Sequence, residues 1–177
     1  MTENSPAGEG FLSHLSSEWE IAAIRAEHFG VRVVRLRTGM VLDLSGGALQ
    51  KMTPPFQMGF GGWLGNGHQW VSWIHLKDLI QLIEFILNNQ EVSGAINAVS
   101  PQPVTNRVFS LLLAQTMKRP CFLPVPDFVL KILLGEMSEI LLSSQRAIPQ
   151  KAVELGFTFL YPELKSAFES IFNSCRD

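Results

Sequence analysis

Residues Leu12–Leu42 read LSHLSSEWEIAAIRAEHFGVRVVRLRTGMVL, and the change of period within them decides the fold class. Leu12, Leu15, Trp19, Ala22, Ala23, Ala26 and Phe29 keep the spacing of one helical face, and Gly30 supplies a stop. Val31–Leu42 is then rich in β-branched residues, and its Val33-Val34 pair breaks strict alternation, as in a strand covered on both faces. Helix, glycine and strand in that order make half of an α/β crossover unit.

Working outward, a second helix is expected from near Gly47 to Pro54-Pro55, and VSWIH at 71–75 forms a brief strand leading into a helix over Leu76–Leu87. Gly94–Val99 reads as a short strand. Thr105 is a good N-cap for a helix running to Lys118, and Pro120 ends it. From Asp127 the chain is expected to be mostly helical, with breaks at Gly135, Pro149 and Gly156 and a last amphipathic helix after Pro162. Met1–Gly10 is polar and turn-forming, expected loose. A parallel sheet normally needs more than these few strands, with helices on both faces, so the chain reads like the back half of a larger sheet.

With 177 residues, one domain core is the default. Apolar residues make up 46% and charged residues 17%, and a net charge of −2 gives no electrostatic reason to expect nucleic acid or an anionic membrane. Cys121 and Cys175 lack metal-ligand spacing, and four histidines show none with acids, so no metal site is expected. There is neither a signal-peptide pattern nor an apolar run of the roughly 20 residues a membrane span requires. A reduced, cytoplasmic protein is the expectation.

Chemistry concentrates in Phe56–Leu79, FQMGFGGWLGNGHQWVSWIHLKDL, where five glycines, three tryptophans and two histidines crowd one non-periodic run. Glycines let backbone approach something closely, while Trp and His offer flat surfaces and hydrogen-bonding tips; the run reads as the wall of a small-molecule pocket. Gly59, Gly62 and Gly65 have a dinucleotide-loop spacing, but Pro54-Pro55-Phe56 precedes them and the turn pair Asn66-Gly67 follows. A phosphate grip needs a strand before and a helix after, so a pocket-lining loop is the better reading. On this run Gln69, Trp73 and His75 are the substrate-side candidates. His68 and Gln69 are expected exposed. Asp78 is read as a helix-start residue. For His75 a structural role bonding the backbone stands beside the substrate role. Thr38, Gly39 and Val41 lie just past a strand's C-terminal end, where open α/β sheets bind ligands. Arg37 is expected to pair with an acid inside the fold, and Arg146 and Glu136 to brace packing.

RTGMVL at Arg37–Leu42, GGAL at Gly46–Leu49, the Gly59–Leu79 run and GAINAVSPQPVTN at Gly94–Asn106 together resemble one group of atypical extended short-chain dehydrogenase/reductases, the epimerase family. The tail motifs RPCFLPVP, LLGEMSEILLSSQRAIP and GFTFLYPEL are similar to that group's C-terminal domain of unknown function. The resemblance implies an α/β fold: the C-terminal part of a Rossmann-like doubly wound parallel sheet over residues 1–119, then a mainly helical C-terminal domain over 120–177. It also implies an NADP or NAD cofactor, whose nicotinamide end passes Thr38, Gly39 and Val41, and a small-molecule substrate. In such relatives the glycine-rich pyrophosphate loop lies before everything seen here. Aligned on Glu20, the catalytic tyrosine and lysine positions fall near Leu12 and Ser16, which cannot do that work. Tyr161-x-x-x-Lys165 copies the spacing, but it lies far downstream with Pro162 inside it, so Tyr161 reads as a packing residue. No catalytic acid or base is named. The resulting expectation is the substrate-side portion of an oxidoreductase or epimerase-like protein, not competent alone. The alternatives are a non-catalytic nucleotide- or metabolite-binding regulator, or an inactive remnant whose exposed sheet edge and uncovered helix faces favour self-association.

Overall fold

The computed structural model describes residues 1–122, 124–125 and 144–173; Gly135, Glu136, Cys175 and the helices expected directly after Asp127 lie outside the described residues. The first helix, α1 (Phe11–Ile24), passes into a 3-10 turn (Arg25–Phe29), which Gly30 ends in the left-handed region at φ 75°. The strand that follows was expected over Val31–Leu42 with a short extension. It divides into β1 (Val34–Thr38) and β2 (Met40–Leu42), with Gly39 between them.

The division reflects a change of partner. β1 pairs in parallel with β5 (Gly94–Ala98), Val34 opposite Gly94 and Thr38 opposite Ala98. β2 pairs in parallel with β4 (Trp73–His75), Met40 opposite Trp73 and Leu42 opposite His75. The parallel arrangement follows from helical crossovers: α2 (Gly47–Gln57) lies between β2 and β4, and α3 (Leu76–Asn88) between β4 and β5. α2 runs two residues past Pro55, because the proline rings withdraw bonds only from the carbonyls of exposed Gln50 and Lys51, which water can serve. An antiparallel pair absent from the sequence reading joins β3 (Trp70–Val71) to β6 (Val104–Thr105). Thr105 caps α4 (Asn106–Thr116) as expected, its hydroxyl accepting from Val108 N–H. That helix ends two residues early, with Lys118 at φ 54° and Arg119 N–H returning to Ala114 O. α5 (Gln150–Glu154) and α6 (Leu164–Asn173) complete the described chain.

Strand alternation sorts the core into two halves. Trp73 enters one with Leu42, Leu49, Phe56, Phe109, Leu113, Leu164, Phe168 and Ile171; Ile74 enters the other with Leu82, Ile86, Val92, Ile96 and Ala152. α6 thus shares its core with α2 and α4, the Phe109 and Phe168 rings meeting edge-on at 5.1 Å. Arg32 closes the far end of α3, donating to the carbonyls of Ile86 and Val92 at 3.0 Å. The N-terminus, expected loose, is tied down: Ile148 N–H donates to Met1 O, and Asn97 N–H to the Glu3 carboxylate at 3.0 Å.

Candidate functional site

The strand ends converge at Gly39. Its N–H donates to Ala98 O at 3.2 Å, the last bond to β5, while the next residue, Met40, donates to Ser72 O at 2.8 Å. A Cβ at Gly39 would stand 2.6 Å from Ser72 O and 2.8 Å from a Val99 methyl, so glycine is required where the strand changes partner. Thr38 is exposed beside this crossing, and Val41 is half-buried in the core half around Ile74. Thr38 and Gly39 therefore sit where two parallel strands end together, the kind of position at which open α/β sheets place ligands.

The glycine-rich run leaves α2, turns at Gly59 (φ 82°) and packs against the body without strand or helix of its own as far as Trp70. Asn106 Oδ1 accepts Leu64 N–H at 2.7 Å, Gly65 N–H donates to Val125 O, and the Arg107 guanidinium lies 5.0 Å over the Trp63 ring. Gln69, expected exposed, is 8% exposed: its side-chain amide donates to Leu64 O at 3.0 Å, and its backbone carbonyl takes Asn106 N–H. His68 is exposed as expected. Trp73 has no exposed surface, and its indole N–H is satisfied by Gln102 O at 3.1 Å. Residues 144–147 lie along this edge, Arg146 stacking 4.7 Å over Trp70 and Ser72 Oγ donating to Gln145 O.

His75 ends β4 and caps α3, Nδ1 accepting Lys77 N–H at 3.0 Å, which places the imidazole proton on Nε2. Nε2 is buried without a partner among the described residues, and the ring stacks on Tyr161 at 4.1 Å. Burial depresses the His75 pKa below its ordinary value, so the ring is held neutral. One turn on, the wholly buried Asp78 carboxylate accepts Leu160 N–H at 2.7 Å and Tyr161 N–H at 3.0 Å. Asp78 thus fastens the tail to α3, a role the sequence reading missed because its partners lie 82 and 83 residues away. Tyr161 accepts from Ser170 and precedes α6, which carries Lys165, so the two do not share a helical turn.

On the other face of β1, Arg37 meets Glu20 through two bonds, 2.6 and 2.8 Å, and Arg35 reaches the same carboxylate at 2.7 Å. The Arg37 hydrogen bond leads in holding the Glu20 pKa down. This is the internal acid expected for Arg37.

For a dinucleotide, the described residues offer strand-end backbone at Thr38–Val41, but the Gly59–Gly65 run is no strand–glycine–helix turn to hold a pyrophosphate: α2 precedes Gly59 and a turn follows Gly65. No His, Cys, Asp and Glu group among the described residues suits a metal ion, and no helix among them is long and apolar enough to cross a membrane.

Residues 125–171 match the model of a domain of unknown function, DUF1731. The chain is 46% identical over 169 residues to an Arabidopsis thaliana protein, "Epimerase family protein SDR39U1 homolog, chloroplastic", covering 96% of this chain and 48% of that one. It overlays human epimerase family protein SDR39U1 (isoform 2), determined with NADPH, at TM-score 0.92 and 35% identity, over 98% of this chain and 59% of that one. Thermus thermophilus UDP-glucose 4-epimerase, in complex with NAD, shares the fold at TM-score 0.66 and 14% identity, over 93% of this chain and 53% of that one. The chain spans about half the length of the curated relatives it matches. With its parallel strands, helical crossovers and DUF1731 match, the chain belongs to the epimerase family and corresponds to the C-terminal part of its members.

Proposed function

We propose that this chain supplies the ligand-facing wall of an NAD(P)-dependent oxidoreductase or epimerase-like protein, and that it does not turn over substrate alone. The observation that carries this reading is the crossing at Gly39, where β1 and β5 end in register and β2 departs to a new partner. The nicotinamide end of the cofactor would pass the exposed Thr38 and the backbone of Gly39–Val41. A nicotinamide cofactor supplies hydride chemistry when bound; the protein's part here is to orient its reactive ring and exclude water. Substrate would approach from the Gln69–His75 side. Because Trp73 is enclosed and Gln69 braces the loop, these residues would shape that side through backbone position more than through free side-chain tips. Grip on the diphosphate would come from outside the described residues.

Amide NMR spectra of the isotopically labelled chain, recorded with millimolar reduced nicotinamide mononucleotide, test the placement. Shifts confined to Thr38–Val41 and Gln69–His75 are expected. Shifts centred on Gly59–Gly65, or no shift anywhere, would refute it.

A further inference from the structure

Ser72 stands between β3 and β4 and holds two distant parts of the chain at once. Its backbone carbonyl accepts Met40 N–H at 2.8 Å, beside the crossing at Gly39. Its hydroxyl donates to Gln145 O at 2.7 Å and accepts Ala147 N–H at 2.9 Å, so the backbone of Arg146 is clasped from both sides. Two further bonds fix the same stretch: Trp70 N–H donates to Ser144 Oγ at 3.0 Å, and the Met1 ammonium donates to Arg146 O.

What this clasp presents is a guanidinium. The Arg146 side chain is exposed, lies 4.7 Å over the Trp70 ring, and meets neither a carboxylate nor a hydrogen-bond acceptor among the described residues. Other arginines near the sheet are committed: Arg35 and Arg37 to Glu20, Arg32 to the carbonyls that end α3. Stacking on an indole fixes the guanidinium plane and leaves its rim of N–H donors open, a fork that matches two oxygens of a carboxylate or phosphate. No acid competes from the neighbouring segments. Residues 56–73, 94–109 and 144–148 contain neither Asp nor Glu, and their only Lys or Arg are Arg107 and Arg146, although the whole chain carries a net charge of −2. Glu3, brought alongside β5, is engaged by the backbone N–H groups of Asn97 and Lys151.

We propose that Arg146 is a binding residue for an oxyanion, the carboxylate or phosphate of a small ligand, and that Ser72 is the positioning residue that sets it beside the strand ends. That the oxyanion belongs to the substrate rests on the proposed function. Arg107 lies 5.0 Å over Trp63 in a similar stack, but it stands on α4 and has no bond to Ser72 among the described residues, so it serves as the control.

The test titrates the isotopically labelled chain with inorganic pyrophosphate and, separately, with malonate, at ionic strength held constant with chloride. The Arg146 Nε–H and Trp70 indole N–H resonances are followed by NMR. A saturable millimolar response is expected; pyrophosphate alone would assign a phosphate ligand and malonate alone a carboxylate, and either supports the site. Arg146→Gln is expected to abolish the Trp70 response, Arg146→Lys to weaken it roughly fivefold because an ammonium lacks the fork, and Ser72→Ala to weaken it with Arg146 intact. Arg107→Gln should leave it unchanged, with circular dichroism preserved in every variant. No saturation with either anion, undiminished binding in Arg146→Gln or in Ser72→Ala, or an equal loss in Arg107→Gln would each overturn the proposal. A saturable Arg146 site in a chain that shows no reduced-nicotinamide shifts at Thr38–Val41 would refute the proposed function and support the oxyanion site.

Discussion

Gly39 carries the topology of the sheet in one missing side chain. Gly39→Ala puts a methyl into Ser72 O and Val99, and is expected to cost about 2 kcal/mol of stability in urea denaturation; an unchanged midpoint would show that the crossing relaxes freely. Asp78 carries the tail in the same sense. Asp78→Ala takes the acceptor from two partly buried N–H groups and is expected to cost about 2 kcal/mol, with early exchange at Leu160 and Tyr161 as the local sign. His75 sets a pH dependence. Its folded pKa is depressed by burial, so the unfolded chain binds the extra proton, and stability is full above about 6.5 and declines as pH falls below it. Facing charges are Asp78 and Lys77 on α3 and Asp43 after β2, and burial outweighs the acids. Melting temperature should fall more between pH 7 and 5.5 for the native chain than for His75→Asn, which keeps an N-cap and cannot titrate. Equal slopes would place the titrating group elsewhere.

At the scale of elements, what could be read from the sequence was whatever a single segment encodes. The amphipathic pattern of Leu76–Leu87 and the cap at Thr105 became α3 and α4 because their signals are local. The Val31–Leu42 strand was legible as a strand, but its break at Gly39 depends on Ser72 and Val99, which come from elsewhere. Period alone located α1 yet could not say which way it faces: its apolar stripe looks outward because its inward contacts are Glu20 with Arg35 and Arg37. Gln69 was misjudged as exposed for the same reason, its partners being Leu64 and Asn106 across the loop. An element held mainly by partly exposed ion pairs gains little, on the order of 1 kcal/mol or less per pair. Amide hydrogens of α1 should therefore exchange well before those of α3, whose Asp78, Leu82 and Ile86 are buried. Equal protection of the two helices would contradict the view that partly exposed ion pairs are what hold α1.

At the scale of the whole molecule, two core halves meet across β4, and the described tail joins both, one through α6 and the other through Ala152 of α5. The strand ends converge at Gly39, while α1 exposes Leu12 and Trp19 and one edge of β1 has no strand beside it among the described residues. A wall whose Gly59–Gly65 run opens no helix should hold a dinucleotide poorly, since oriented N–H groups at a helix start supply much of such binding. The most direct measurement is a titration of NADPH into the chain alone, followed by the fluorescence of its four tryptophans. The account predicts no saturation at micromolar concentrations. Saturable micromolar binding would contradict it, because the chain would then hold by itself the cofactor grip assigned here to the other half of the fold.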